Sequence, residues 1–350
     1  MCNRCTLGRS LDAVSTSGCD LLLSELALAV CVQAGIDQRF HPLDTTSFAL
    51  SGAYAPESDE PVISITHGYA KDHRPDLPQA VLELMVSQDG GGPLLRKSWD
   101  GHASDTTGFQ ARAQRLMTTL KHSPSPRDVV ADGTLYQKEK AEHVKALPCI
   151  TRIPNTLKVV SQVMTPALAI DTWHDVDEQR RYQGLECCHC GLEPRWLVVH
   201  AEAAAWRAES SLRQAQHRAY AAMAKHLLHL QARRFDTPAA AHAALAPVAI
   251  TWQRQARGRP DAARLGDATP WGACSVLGTH IEAAQRSDVE VIGGDKGQAK
   301  AEGGLRFLTD PWFFVSSLFV KKPCRIQGLL RVRTLALLVY AVAQRRLRHA

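Results

Sequence analysis

The chain has 350 residues, 45% of them hydrophobic and 22% charged, with a formal charge of +6 at neutral pH. That is the composition of an ordinary globular protein with room for two or three domains, and so mild a basicity does not by itself indicate nucleic acid. Ten cysteines at irregular spacing argue against a disulfide framework, and Asp20 and Glu25 interrupt the only early apolar run, which argues against an export signal. Thr334–Ala343 is apolar but much shorter than the roughly 20 residues of a membrane span, so no membrane association is expected. A reduced, cytoplasmic protein is the expectation.

In chain order, residues 1–37 read as a helical lead-in, apolar from Leu21 to Ile36. His41–Ser51 and Pro61–Thr66 read as strands, and Val81–Val86 as a third strand or a short helix. The turn Gly90-Gly-Gly-Pro93 leads into a strand at Leu94–Trp99. Thr106–His122 reads as a helix, Arg127–Asp132 as a short buried strand, Tyr136–Leu147 as a helix and Cys149–Ile153 as a strand. Strands in a meander that then alternate with helices suit a mixed sheet over residues 38–165. Residues 166–285 differ in character. Arg195–Val199 and Ser275–Thr279 read as strands there, Glu202–Phe235 as one long helix or a helical hairpin, and Gly258-Arg-Pro260 as a loop. Residues 286–350 hold a helical segment at Glu302 and a final basic helix. After Asp310 there is no acidic residue, while Lys321, Lys322, Arg325, Arg331, Arg333, Arg345, Arg346 and Arg348 follow. A local cationic excess of this kind is what a phosphate-facing surface needs, although a charge run is more often a solvated face.

Three acidic residues stand in unusual segments: Asp44 in His41-Pro-Leu-Asp-Thr-Thr-Ser-Phe48, Asp132 in Val129-Val-Ala-Asp-Gly-Thr-Leu-Tyr136, and Glu302 in Ala301-Glu-Gly-Gly-Leu-Arg-Phe-Leu-Thr-Asp-Pro311. Taken singly, Asp44 is a turn-capping aspartate, Asp132 a loop aspartate before Gly133, and Glu302 a glutamate favoured by a helix dipole. Taken together, two carboxylates closing apolar strands and a third at a helix form a hard oxygen set suited to two divalent cations. Cys187-Cys-His-Cys190 lacks a second ligand pair nearer than Cys2 and Cys5, so adventitious cysteines are the better reading. His67 and His73 have no accompanying serine or cysteine elbow, and Gly293-Gly-Asp-Lys-Gly297 is not a phosphate loop.

The order and wording of these segments resemble the DDE transposases of bacterial insertion sequences, in the superfamily typified by insertion sequence four. The branch it is most similar to opens its core with a His-x-Asp-Thr-Thr-Ser-Phe strand. Ile65-Thr-His-Gly-Tyr-Ala-Lys-Asp-His-Arg-Pro-Asp-Leu77, Asp100-Gly-His-Ala-Ser-Asp105 and Phe314-Val-Ser-Ser-Leu-Phe-Val-Lys-Lys-Pro-Cys-Arg-Ile326 also look like segments of that branch, in its order. The resemblance runs from about Asp44 to the C-terminus. It implies a ribonuclease-H-like α/β fold, a mixed sheet flanked by helices and interrupted by an inserted subdomain. The core would then occupy 38–165 and 286–350, with 166–285 inserted and 1–37 a remnant of the family's longer N-terminal region.

It further implies Asp44, Asp132 and Glu302 as catalytic carboxylates holding two Mg2+ ions, which Mn2+ can replace. The implied reaction is DNA cleavage and strand transfer at the element's ends. DNA, as transposon ends and target, is the implied partner, with a homodimer assembled on it at the bacterial nucleoid. Arg306, Lys321, Lys322 and Arg325 are the candidate phosphate contacts, and Trp173 or Trp252 could stack on a flipped base. The chain departs from the family pattern where a tyrosine and a lysine are usual, with Asp295 and Thr309 in those slots, Gln298 between them, and His102 for an asparagine. The departures make a catalytically impaired, DNA-binding remnant the alternative.

Overall fold

The computed structural model describes residues 4–17, 19–52, 54, 63–68, 74–103, 128–132, 148–186, 195–257, 271–310 and 322–349. The helices expected at Thr106–His122 and Tyr136–Leu147, the loop at Gly258–Pro260, the Cys187–Cys190 cluster, His73 and Lys321 lie outside them. The chain divides into two compact units. One comprises residues 1–154, 186–195 and 277–350, and the other residues 155–185 and 196–276.

The first unit is built on β1 (Phe40–Ala49), β2 (Gln79–Val86), β3 (Pro93–Trp99), β4 (Asp128–Asp132) and β5 (Cys149–Ile153), in the order β3-β2-β1-β4-β5. β1 is antiparallel to β2 and β2 to β3, whereas β1–β4 and β4–β5 are parallel. A three-strand meander extended by parallel strands on its first-strand side is the ribonuclease-H-like arrangement. β2 is buried at every position, Gln79 and Glu83 included, so its sequence shows no alternation of apolar and polar residues. Of the expected strand at Pro61–Thr66, the described part keeps only a single bridge, Thr66 to Gln79. Its backbone is held by the Asp100-Gly101 turn instead. Asp100 accepts from Ser64 N at 2.6 Å, and Gly101 N donates to Ser64 O. A Cβ at Gly101 would stand 2.0 Å from Gln79 O, so only glycine fits that approach.

Helices α1 (Arg4–Thr16) and α2 (Cys19–Gln33) lie in the expected helical lead-in and belong to this unit. Ala27, Cys31 and Ile36 pack with Leu94 of β3. Late in the chain come α6 (Asp288–Asp295), α7 (Gln298–Thr309) and α8 (Pro323–His349). A capping box of Ser287 and Glu290 starts α6. Ala301, Leu305 and Leu308 of α7 join Leu82, Leu84 and Val86 of β2 and Ile326, Leu330 and Leu337 of α8 in one core. By length and composition α8 is long and apolar enough to cross a membrane, contrary to the shorter stretch read from sequence. One face of α8, with Ile326, Leu330 and Leu337, packs in the core of this unit, while Val332, Val339 and Tyr340 on its other faces are exposed.

The second unit contains α3 (Lys158–Leu168), the hairpin β6 (His174–Asp177) and β7 (Arg180–Glu186), and β8 (Arg195–Ala201). These are followed by α4 (Glu202–Gln231), α5 (Pro238–Arg257) and β9 (Cys274–Thr279), which passes back into the first unit. Of the two forms expected for Glu202–Phe235, the structure takes the unbroken helix, and a separate helix α5 packs against it. Inside the first unit the end of β9 reaches β5, where Thr279 Oγ1 donates to Cys149 O at 2.8 Å.

Candidate active site

Asp44 does not end its strand, as its apolar context suggests, but lies in the middle of β1. The parallel pairing of β1 with β4 sets Leu43 opposite Ala131. The next step of that register puts Asp44 opposite Asp132, the last residue of β4. Neighbouring strands lie about 4.8 Å apart, and residues in register face the same side of a sheet. The two aspartate positions are therefore adjacent, on one edge-to-edge line, where β4 stops and β1 continues. Asp44 is half-buried, and its Oδ1 accepts the Thr45 amide at 2.7 Å. The side chain of Asp132 lies outside the described residues.

Glu302 comes to the same strands on α7, which packs on β1, β2 and β4. Two contacts set that helix close to the sheet. Gln298 Nε2 donates to Leu43 O at 3.3 Å, beside Asp44. A Cβ at Gly304 would meet Leu84 Cδ2 at 2.9 Å, so the helix approaches β2 more closely than a larger residue would permit. Glu302 is four residues after Gln298, hence one turn along the same flank of the helix, and it is exposed. Among the described residues no three His, Cys, Asp or Glu side chains form a group that could hold a metal ion.

Sequence reasoning passed over Arg152. On β5 it is the register partner of Asp132, and its guanidinium bonds the buried carboxylate of Asp295 at the end of α6. Nothing in the local sequence marks Arg152, because its interest comes entirely from strand register. Thr309, in the slot where the family has lysine, turns its hydroxyl back to Leu305 O at 2.9 Å. His102 stands 3.4 Å from Thr66 Oγ1 in the turn after β3.

The expected phosphate contacts separate. Arg306 is exposed on α7. Lys322 is exposed just before α8, near enough to Asp12 to hold that carboxyl down. Arg325 is engaged inside the fold, donating to both carboxylate oxygens of Asp12 at 2.8 Å. Trp173 is also engaged. Its Nε1 donates to Ile170 O, its ring meets His200 edge-on, and Arg181 stacks over it. The Trp252 side chain is outside the described residues, whereas Trp206 on α4, not singled out from sequence, is 70% exposed.

No family model matches the chain, and no curated protein matches it. Among solved structures, it is similar to a piggyBac transposase synaptic complex with hairpin DNA, with 7% identity and a TM-score of 0.34, over 89% of this chain and 54% of that one. It is also similar to a Mos1 transposase paired-end complex with the left transposon end, with 12% identity and a TM-score of 0.23, over 41% of each chain. The chain thus spans about half, or less, of the length of these structures.

Proposed function

We propose that the first unit is the core of a metal-dependent DDE transposase of the insertion-sequence-four-like kind, which cuts and joins DNA at the ends of a mobile element. The observation that supports this reading is the register of β1 and β4, which pairs Leu43 with Ala131 and, continued by one step, would bring Asp44 to Asp132, while α7, which carries Glu302, packs on the same strands. Three carboxylates are hard oxygen donors of the kind Mg2+ prefers, and Asp44 is half-buried in the middle of β1. Asp44 and Asp132 would hold the ions between them, and Glu302 would close the set from the helix. When bound, two Mg2+ ions supply the activated water or DNA 3′-hydroxyl and the charge stabilisation for in-line displacement at phosphorus. Arg306, one turn beyond Glu302 on α7, would hold the phosphate of the strand being cut, and Lys322 a phosphate farther along.

The alternative, an impaired remnant that binds DNA but cuts it poorly, is favoured by the Thr309 contact. A hydroxyl turned back into its own helix supplies no charge to a phosphate. Both readings are tested on duplexes carrying the element's ends, with Mg2+. Asp132→Ala and Asp44→Ala should abolish any nicking, and Thr309→Lys should raise it, since a lost electrostatic stabiliser typically costs about two to three orders of magnitude in rate. Nicking that survives Asp132→Ala would remove the carboxylate mechanism.

A further inference from the structure

We propose that one face of α4, in the second unit, is a docking surface for the phosphate backbone of duplex DNA. α4 is a helix of 30 residues in which Met223 is the only fully buried side chain. Arg207, Arg218, Lys225 and His229 are all exposed on it. At about 100° per residue their spacings of 11, 7 and 4 positions bring the four within about 40° of one another around the helix. The three cations, from Arg207 to Lys225, span about 27 Å at a rise of about 1.5 Å per residue, and His229 carries the line on to about 33 Å. One turn of B-DNA is about 34 to 36 Å.

The two signs of charge are segregated. Glu202 and Glu209 are the acids of α4, and both fall on the side opposite the stripe by the same helical arithmetic. Glu209 is paired with Arg213, away from the stripe. From Ser210 to Phe235 there is no acidic residue. Arg207 Nε donates to Ala203 O and Arg218 Nε to Gln214 O, contacts that draw each stem along the helix and use a single donor of the five in each guanidinium.

A protein partner would need buried aromatic or aliphatic anchors at the centre of the contact. The stripe offers none. The large exposed apolar side chains of α4, Trp206 at 70%, Leu228 at 65%, Tyr220 at 41% and Leu227 at 37%, lie on another side of the helix, about 60° or more from the stripe. A phosphate backbone needs only a line of cations, because release of condensed counterions drives the association. The surface would hold DNA without reading its sequence.

This surface rests on the DNA-processing reading above for its biological sense, but its test requires no chemistry. Binding of the full chain to a 40-base-pair duplex would be followed by fluorescence anisotropy in EDTA over a range of KCl concentrations. The triple variant Arg207→Gln, Arg218→Gln, Lys225→Gln should flatten the plot of log Kobs against log salt by about 2.7, at about 0.9 per phosphate contact. Arg213→Gln, on another face, should leave the slope unchanged. Circular dichroism would verify that the exposed substitutions keep the helix.

An unchanged slope in the triple variant overturns the proposal while leaving the carboxylate site standing. A triple variant that alters only the sedimentation of the DNA-free protein would assign the face to a second copy of the chain, and so also overturns it. Loss of nicking in Asp132→Ala with the salt slope intact is the reverse case, supporting the carboxylate site without bearing on α4. A wild-type chain that does not bind duplex DNA at all overturns both.

Discussion

α4 and α8 are both long basic helices, and they use their cations in opposite ways. In α8, Arg331, Arg333 and Arg345 face inward and reach the ends of other helices, whereas Arg346 and Arg348 are exposed. Arg331 Nη1 donates to Val14 O at 2.8 Å, at the end of α1. Arg345 donates to Asp89 at 2.9 Å and to Ala34 O, just past α2. Arg333, buried, bonds Leu308 O near the end of α7 and Asp310 O beyond it. Helix C-termini carry unpaired carbonyls and partial negative charge, so a cation there meets both needs. In α4, Arg207, Arg218 and Lys225 lie on an exposed face that carries no acid. The comparison teaches that an acid-free basic run has two physical explanations, an external polyanion and the ends of neighbouring helices. Only the fold distinguishes them.

The largest expected effect tests the inward half. Arg333→Ala removes a buried cation from two carbonyls, and charge-assisted hydrogen bonds are worth about 1.5–3 kcal/mol each. Chemical denaturation should show a loss of about 2–3 kcal/mol. A variant as stable as the parent would mean that α7's end is satisfied without the arginine, and the contrast with α4 would weaken.

Arg325→Gln should cost less, about 1 kcal/mol, because the Asp12 pair is half-exposed and screened. Its sharper signature is in titration. The Arg325 hydrogen bonds hold the Asp12 carboxyl below its ordinary value. A depressed carboxyl contributes stability that is full above its unfolded value of about 3.9 and is lost as pH falls through the lower folded value. Asp128 has the opposite sign. Burial raises its pKa although Arg286 lies 2.8 Å away and opposes the shift. Its contribution is therefore favourable when protonated and declines as pH rises from about 3.9 through the folded value. Arg325→Gln should flatten the acid limb below about pH 4 and leave the Asp128 limb in place. An Asp12 resonance that titrates identically in both proteins would refute the pairing.

The strands of the first unit were legible because buried strands leave short apolar runs, as Val129–Ala131 does in β4. The juxtaposition of Asp44 and Asp132 was not derivable from local pattern, since parallel register joins residues far apart in the chain. The hairpin β6–β7 was invisible because His174–Glu186 is polar and mostly exposed, so no alternation marks it. The Arg152–Asp295 and Arg325–Asp12 pairs were missed for one reason. Sequence shows a cation's sign and omits the carboxylate that the fold sets against it.

The smallest expected effect concerns stability on α4, and its smallness is what sharpens the comparison. If the exposed stripe is a docking face, its cations do no folding work. Neutralising Arg218 should then change the unfolding free energy by no more than about 0.5 kcal/mol, as for surface sites away from caps and buried networks. The same substitution should still lower the salt slope of DNA binding by about 0.9. Arg333→Ala should behave in the reverse manner, with a large stability loss and, in conditions where the variant remains folded, an unchanged slope. Thermal unfolding and anisotropy on the same two preparations make the comparison direct. If Arg218→Gln unfolds as readily as Arg333→Ala, then α4 is braced as α8 is, and its charge says nothing about DNA.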